Sequence, residues 1–467
     1  MLRVARTFTL GASVALAVCV AAPSVETAPT RQTPLYQQFL SNPNPLELVA
    51  AKRVDRIAWT AYEEGRRNAY TALAPSFTPV RLTSFMKDDG VDMSTIRISD
   101  DGSTVVFLRG TAPNRAGWVA NASASPDGAE RAIWAVRTSG GPAWRVAEGG
   151  APELAPDGRA VLFVKDGEIY RALVTPTRPL NEKDRAEKAY IRSSGVQSSP
   201  KWSPDGRRIA FVTTRQDHSF VAVLDSKTRT ITYMAPSVDF DSDPMWTDDG
   251  RHIVFARRPG LSFGQQSQQQ DPGAQTPNPA ALRIPGLMRA TFRGGYTLAY
   301  MKANVATGEA EKAWHNEAGE GMFASINNPR LAGNYVVFPL NQGGFGGRGT
   351  GRGLPPEPSL PAGPVDEWER YYSVELRPNA KPTLLTTTDG LIENQASVAL
   401  SGDGRTFYYS TNAKDIDRRH IWAVPVTGGT PAQVTSGAGI ETSPVPLASG
   451  TMLATQSADW KRPQSIG

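Results

Sequence analysis

The sequence predicts an all-β fold, a β-propeller of four-stranded antiparallel blades, and three observations predict it. A short motif recurs along the chain at blade-like spacing. Every copy has the period-2 alternation of a β-hairpin. The 43 Gly and 37 Pro of 467 residues supply turns that suit short strands better than long helices.

The clearest copies are Ser199-Pro-Lys-Trp-Ser-Pro-Asp-Gly-Arg-Arg-Ile-Ala-Phe211 and Asp243-Pro-Met-Trp-Thr-Asp-Asp-Gly-Arg-His-Ile-Val-Phe255. A third, Ala151-Pro-Glu-Leu-Ala-Pro-Asp-Gly-Arg-Ala-Val-Leu-Phe163, has Leu154 for Trp, and two more run through Asp101-Gly102 and Asp403-Gly404. Each places an apolar residue three before the Asp and an aromatic five after the Gly. The Asp-Gly pair reads as a tight turn with φ > 0, and the alternation gives both flanking strands one buried face. A third strand follows at Phe220–Leu224, Ile133–Val136 and Ile421–Val426, and a fourth at Ala432–Thr435.

Weaker copies start at Val54, Gly333 and Gly450. With Gly102, Gly158, Gly206, Gly250 and Gly404 they make eight units, or seven if only complete ones are counted. Spacings between starts run from 44 to 56 residues except for two, 83 and 71, which contain Gln-, Pro- and Gly-rich insertions at about residues 259–295 and 341–366. The period is otherwise that of propeller blades. The last unit, ending Ala458-Asp-Trp-Lys-Arg-Pro-Gln-Ser-Ile-Gly467, holds about two strands, so the sequence predicts an incomplete last blade with an exposed edge. A truncated ring of this kind predicts a poorly soluble chain when residues 23–467 are expressed alone.

Residues 1–22 read as a secretory signal: Arg3 and Arg6 precede an apolar run from Phe8 to Ala22, too short for a membrane span. A linker over residues 23–44 leads into the propeller at 45–467, and the expected location is periplasmic or secreted. The one cysteine, Cys19, lies in the signal, so the mature chain can form no disulfide. Net charge is +5, falling to about +3 without Arg3 and Arg6, and the charges are scattered, which gives no support to nucleic-acid binding.

The Trp-Ser-Pro-Asp-Gly-Arg run at 202–207 is shared by the Tol-system periplasmic propeller and by peptidases of the prolyl oligopeptidase family. Arg56-Ile-Ala-Trp-Thr-Ala-Tyr-Glu-Glu-Gly-Arg-Arg-Asn-Ala-Tyr70, Arg81-Leu-Thr83 and Asp417-Arg-Arg-His-Ile-Trp422 resemble the propeller of the dipeptidyl peptidase IV-like members of that family. The resemblance covers about residues 45–467. It implies a propeller that gates peptide access to an α/β-hydrolase domain bearing a Ser, Asp, His triad, on which it docks. No residues for that domain follow Gly467, so the given chain is expected to be inactive alone. The other reading is a free-standing Tol-type propeller that binds protein partners, but that protein has six blades behind a small α/β domain.

Candidate chemistry is sparse, with no catalytic residue, cofactor or metal assigned. Gly260-Leu-Ser-Phe-Gly264 matches G-x-S-x-G, but the strand-turn-helix setting of a nucleophile elbow is absent, and Ser262 reads as loop. The family resemblance implies that paired glutamates hold a substrate's free amine. Glu63 and Glu64, beside Tyr62, are the candidates for substrate binding, and their place between two alternating runs equally fits a solvated hairpin turn. His218, His252, His315 and His420 lack metal-ligand spacing, and the Asp-Gly pairs lack the carboxylates of a calcium loop. The Gly343–Gly353 tract, with two arginines, reads as a loop.

Overall fold

The computed structural model describes residues 43–111, 114, 118–119, 131–176, 188–260, 291–320, 323, 326–340 and 368–467. The signal segment, most of the linker, Ser262 and the Gly343–Gly353 tract lie outside the described residues. The described chain is all-β apart from 3-10 turns at Gln395–Ser397 and at Phe323.

Eight antiparallel units follow one another, each built from consecutive strands. Blade 1 holds β1 (Asn44–Ala50), β2 (Arg56–Glu63), β3 (Arg66–Leu73) and β4 (Val80–Arg81); blade 2 holds β5 (Met93–Ile98), β6 (Thr104–Arg109), β7 (Ala132–Arg137) and β8 (Trp144–Glu148). Blade 3 holds β9 (Gly150–Leu154), β10 (Ala160–Lys165) and β11 (Glu168–Leu173), with Ile191 bridging to Ile169 in the fourth position. Blade 4 holds β12 (Val196–Trp202), β13 (Arg208–Thr214), β14 (Ser219–Asp225) and β15 (Ile231–Tyr233). Blade 5 holds β16 (Phe240–Trp246), β17 (His252–Arg258), β18 (Ala299–Asn304) and β19 (Ala310–His315), joined to blade 4 by one parallel bridge between Ser219 and Phe240. Blade 6 holds β20 (Arg330–Ala332), β21 (Tyr335–Leu340), β22 (Arg370–Glu375) and β23 (Thr383–Leu384). Blade 7 holds β24 (Val398–Leu400), β25 (Thr406–Thr411), β26 (His420–Pro425) and β27 (Ala432–Gln433); blade 8 holds β28 (Ile440–Pro446), β29 (Leu453–Ala458) and β30 (Ser465–Ile466).

All eight repeat markers fall between the first and second strands of their blades. The turn there differs from the tight Asp-Gly turn expected. It is a five-residue connection in the clear copies, and among the turn's Asp and Gly only the glycine has φ > 0, +70° at Gly206 and +63° at Gly250. The Asp acts as an acceptor instead. Asp205 Oδ1 takes the Ser203 hydroxyl at 2.6 Å and the Arg207 amide at 3.0 Å, while Ser203 Oγ accepts the Arg208 amide at 2.9 Å. Asp249 with Thr247 and Asp403 with Ser401 repeat this pattern. The glycine also lets neighbouring turns nest: a Cβ on Gly206 would lie 3.7 Å from Pro156 of the preceding turn, and one on Gly250 would lie 3.6 Å from Pro204.

The Ser-Pro element of the repeat has a separate cause. In blades 1, 2, 3, 4, 5 and 8 the first two strands slip register at a β-bulge. Ala151, Ser199, Asp243 and Ser443 take φ of 50–54° at that bulge, and each is followed by proline. Proline has no N–H to give the ladder and is tolerated where a bulge leaves the position unpaired.

Blades are held together by side chains on the second strands. Phe107, Phe163, Phe211, Phe255 and Phe338, each five residues after its glycine, are at most 1% exposed. Burying one phenylalanine contributes about 1.5–3 kcal/mol. The repeat's tryptophans add polar ties: Trp202 Nε1 donates to the Glu153 carbonyl at 3.2 Å and Trp246 Nε1 to the Lys201 carbonyl at 3.1 Å, each reaching back to the preceding blade.

The last blade has three strands rather than the two expected, one short of four. Its first strand lies against β1, and Leu447 and Ala454 pack with Ile57, Trp59 and Ala61 of blade 1. Gln464 Nε2 donates to the Pro45 carbonyl at 3.0 Å, and the Ser449 amide donates to Asp55 Oδ1 at 2.8 Å. The ring therefore closes by packing and hydrogen bonds, without exchanging a strand between its ends.

Candidate functional site in the central channel

First strands of adjacent blades touch one another from β1 through β5, β9, β12 and β16 to β20, and again from β24 through β28 to β1. They line the axis of the ring. Between blades 6, 7, 8, 1 and 2 they line an open cavity of about 550 Å³. That volume lies in the range of small-molecule sites, roughly 300–1,000 Å³. Its wall is largely apolar, from β1, β24 and the Pro444-Val445-Pro446 end of β28; its ionisable groups are Glu47, Arg97 and Arg330.

The bulge geometry fixes Glu47. Where β5 slips register, the Thr95 and Ile96 amides lose their ladder partners, and the Glu47 carboxylate accepts both, at 2.9 and 2.8 Å. Both of its oxygens are thereby engaged. Arg97, the next residue of β5, gives Nη1 to the Ile96 carbonyl at 2.9 Å and has no carboxylate within 4.0 Å among the described residues.

Arg330 opens β20 and reaches across to blade 7. Nη1 donates to the Val398 carbonyl at 3.0 Å, and Nη2 donates to the Gln395 carbonyl at 2.8 Å. Gln395 is held in turn: its Nε2 donates to the Tyr371 hydroxyl at 3.3 Å, and Asn394 caps the 3-10 turn by accepting the Ala396 amide at 2.8 Å. Burial pulls the Arg330 pKa below the ordinary arginine value. The guanidinium meets only neutral acceptors among the described residues. Two buried arginines have carboxylates: Arg257 forms a two-pronged pair with Asp241 at 2.7 and 2.9 Å, and Arg370 meets Asp389 at 2.5 Å.

Glu63 and Glu64 lie elsewhere, at the β2–β3 hairpin. Glu64 and Gly65 have φ of +47° and +83°, a two-residue turn of the primed kind. Both carboxylates face Arg66, which stands 3.5 Å from Glu63 and 2.6 Å from Glu64. Arg67 sits over the Tyr62 ring at 5.0 Å and pairs with Asp92 at 3.2 Å. Among the described residues no three His, Cys, Asp or Glu side chains converge as metal ligands. His218 bonds Asp217, His420 bonds Glu441 at 2.7 Å, and His315 stacks on Tyr296. Among the described residues no helix is long and apolar enough to cross a membrane.

Sequence reasoning missed the channel residues. Arg97 and Arg330 belong to no motif, and only their position on first strands, five residues before Gly102 and three before Gly333, could have placed them at the axis.

No protein-family model matches the sequence, and no curated protein matches it. Solved structures do match in fold. One is a prolyl endopeptidase from a study of two such enzymes, with a TM-score of 0.51 at 12% identity over 90% of this chain and 55% of that one. Dipeptidyl peptidase 4 of Porphyromonas gingivalis matches with a TM-score of 0.49 at 10% identity, over 92% of this chain and 60% of that one. The β-propeller domain of the Trilobed protease from Pyrococcus furiosus gives 0.44 at 10% identity, over 92% and 93%. The chain thus spans little more than half the length of the first two, and the likeness to the endopeptidase bears on the propeller fold alone.

Proposed function

We propose that this chain is the propeller part of an exported serine peptidase of the prolyl oligopeptidase family, gating the passage of oligopeptides to an α/β-hydrolase domain. The observation that carries the proposal is the channel cavity: about 550 Å³, apolar-walled, and lined by the first strands of five blades. An extended peptide needs such a passage, with apolar walls for side chains and a few polar groups for orientation. The motifs at 56–70, 81–83 and 417–422 support the same family.

The Tol-type reading is less well supported by the architecture, since eight blades stand here where that protein has six. For Glu63 and Glu64 to hold a substrate amine, the amine would have to displace Arg66, 2.6 Å from Glu64. We assign them to a solvated turn.

The test is hydrolysis by the product of the complete coding sequence. Cleavage of short peptides but not of folded proteins, blocked by a serine-directed phosphonate, is the expected result. Failure to cleave any peptide, together with stable capture of a periplasmic protein, would replace this reading with the binding-propeller one. Glu63→Ala should leave aminopeptidase-type cleavage unchanged; a large loss would restore the amine-anchor role.

A further inference from the structure

We infer that the channel cavity recognises the free α-carboxylate of an oligopeptide, with Arg330 and Arg97 as the groups that receive it. The inference rests on the reading of the channel as a peptide passage and adds to it a direction and a chemical preference.

A guanidinium withdrawn from water without a counter-charge is expensive, by several kcal/mol for an ion after relaxation. Arg257 and Arg370 offset that cost with Asp241 and Asp389. Arg330 does not: it is partly buried, and among the described residues it donates to the Val398 and Gln395 carbonyls and to the Gln395 side-chain oxygen at 3.4 Å. Those bonds orient the fork, and no carboxylate among the described residues pairs with its charge. Arg97 lines the same cavity and donates to the Ile96 carbonyl.

Glu47, the sole carboxylate lining the cavity among the described residues, spends both oxygens on the Thr95 and Ile96 amides. The cavity thus holds two cations against one anion already engaged. A planar carboxylate matches a guanidinium fork in shape and charge. Phosphate would match in charge, but the apolar wall of Leu46, Leu48, Val398 and Val445 suits a group carried on an apolar chain. A peptide's C-terminus brings both.

The anchoring of Arg330 is also what a binding group requires. Gln395, clamped between Arg330 and the Tyr371 hydroxyl, limits the rotamers of both. Preorganisation of this sort lowers the entropic cost of binding.

The experiment uses the full chain and isothermal titration with N-acetyl-trialanine and its C-terminal amide. The acid should bind at least tenfold more tightly than the amide, and added salt should narrow the gap. Arg330→Gln and Arg97→Gln should each shrink the preference, while Arg330→Lys, which keeps the charge, should retain most of it. Circular dichroism checks folding; if Arg330→Gln does not fold, Arg97→Gln and Arg330→Lys decide. Equal binding of acid and amide would overturn carboxylate recognition while leaving peptide passage standing. Binding of neither would overturn both. A preference that survives in every folded variant would place the carboxylate elsewhere and refute the assignment.

Discussion

Replacing Asp241 by alanine should be among the most damaging single substitutions in blade 5. The Asp241 side chain is fully buried and that of Arg257 is 10% exposed; the two share bonds of 2.7 and 2.9 Å, with the Ala235 carbonyl accepting from Arg257 Nη2 at 2.6 Å. Alanine would leave the guanidinium with one neutral acceptor, a loss of about 3–5 kcal/mol for a broken buried pair. Exchanging both partners for Leu and Met should cost far less, because no buried charge remains. Burial, opposed by Arg257, raises the Asp241 pKa to about 6. Its folded value lies above the unfolded value of about 3.9. Its contribution is therefore fully present below about pH 4 and is lost as pH rises through about 6. Urea denaturation followed by tryptophan fluorescence, at pH 4.5 and pH 7.5, measures both effects. A loss under about 1 kcal/mol in Asp241→Ala would refute the claim that the pair must be kept intact. An unchanged pH slope in the Leu/Met double variant would refute the titration argument.

Two other expectations concern the repeat. The Thr247 and Ser401 hydroxyls hold the Asp249 and Asp403 carboxyls below the usual carboxylate range, so their contribution is present above about pH 4 and is lost as pH falls through the folded values. Asparagine at both positions should flatten the acid limb of a thermal-stability profile; an unchanged limb would remove these turns as its source. Trp246→Phe keeps most of the apolar area but loses the bond to the Lys201 carbonyl, and should cost about 1 kcal/mol plus a small packing term. Amide exchange at the blade 4–5 boundary would detect it, and wild-type protection would show that the indole N–H ties nothing.

The blade frame was legible in the sequence because it rests on local chemistry repeated many times. Phe211 and Phe255 mark buried faces, and Gly206 and Gly250 mark positions with φ > 0. The turn's inner hydrogen bonds were not legible, since Ser203 and Asp205 act through geometry that the pattern Ser-Pro-Asp-Gly does not state. Ring closure was missed for another reason. Gln464 and Pro45 lie at opposite ends of the chain, and no local period links them. The site escaped most fully: Glu47, Arg97 and Arg330 are ordinary charged residues in sequence, and only the meeting of first strands at the axis makes them neighbours of one cavity.

A closed ring around that cavity is the claim on which the functional reading depends. Asp55 and Ser449 meet across the closure, with the Ser449 amide 2.8 Å from Asp55 Oδ1. In a chain whose one native cysteine, Cys19, has been changed to serine, the pair Asp55→Cys and Ser449→Cys should form a disulfide within each monomer under mild oxidation. Mass spectrometry of the unreduced peptides reads it directly. An intramolecular 55–449 bond is the expected result, and free thiols or only intermolecular bonds would contradict the closed ring.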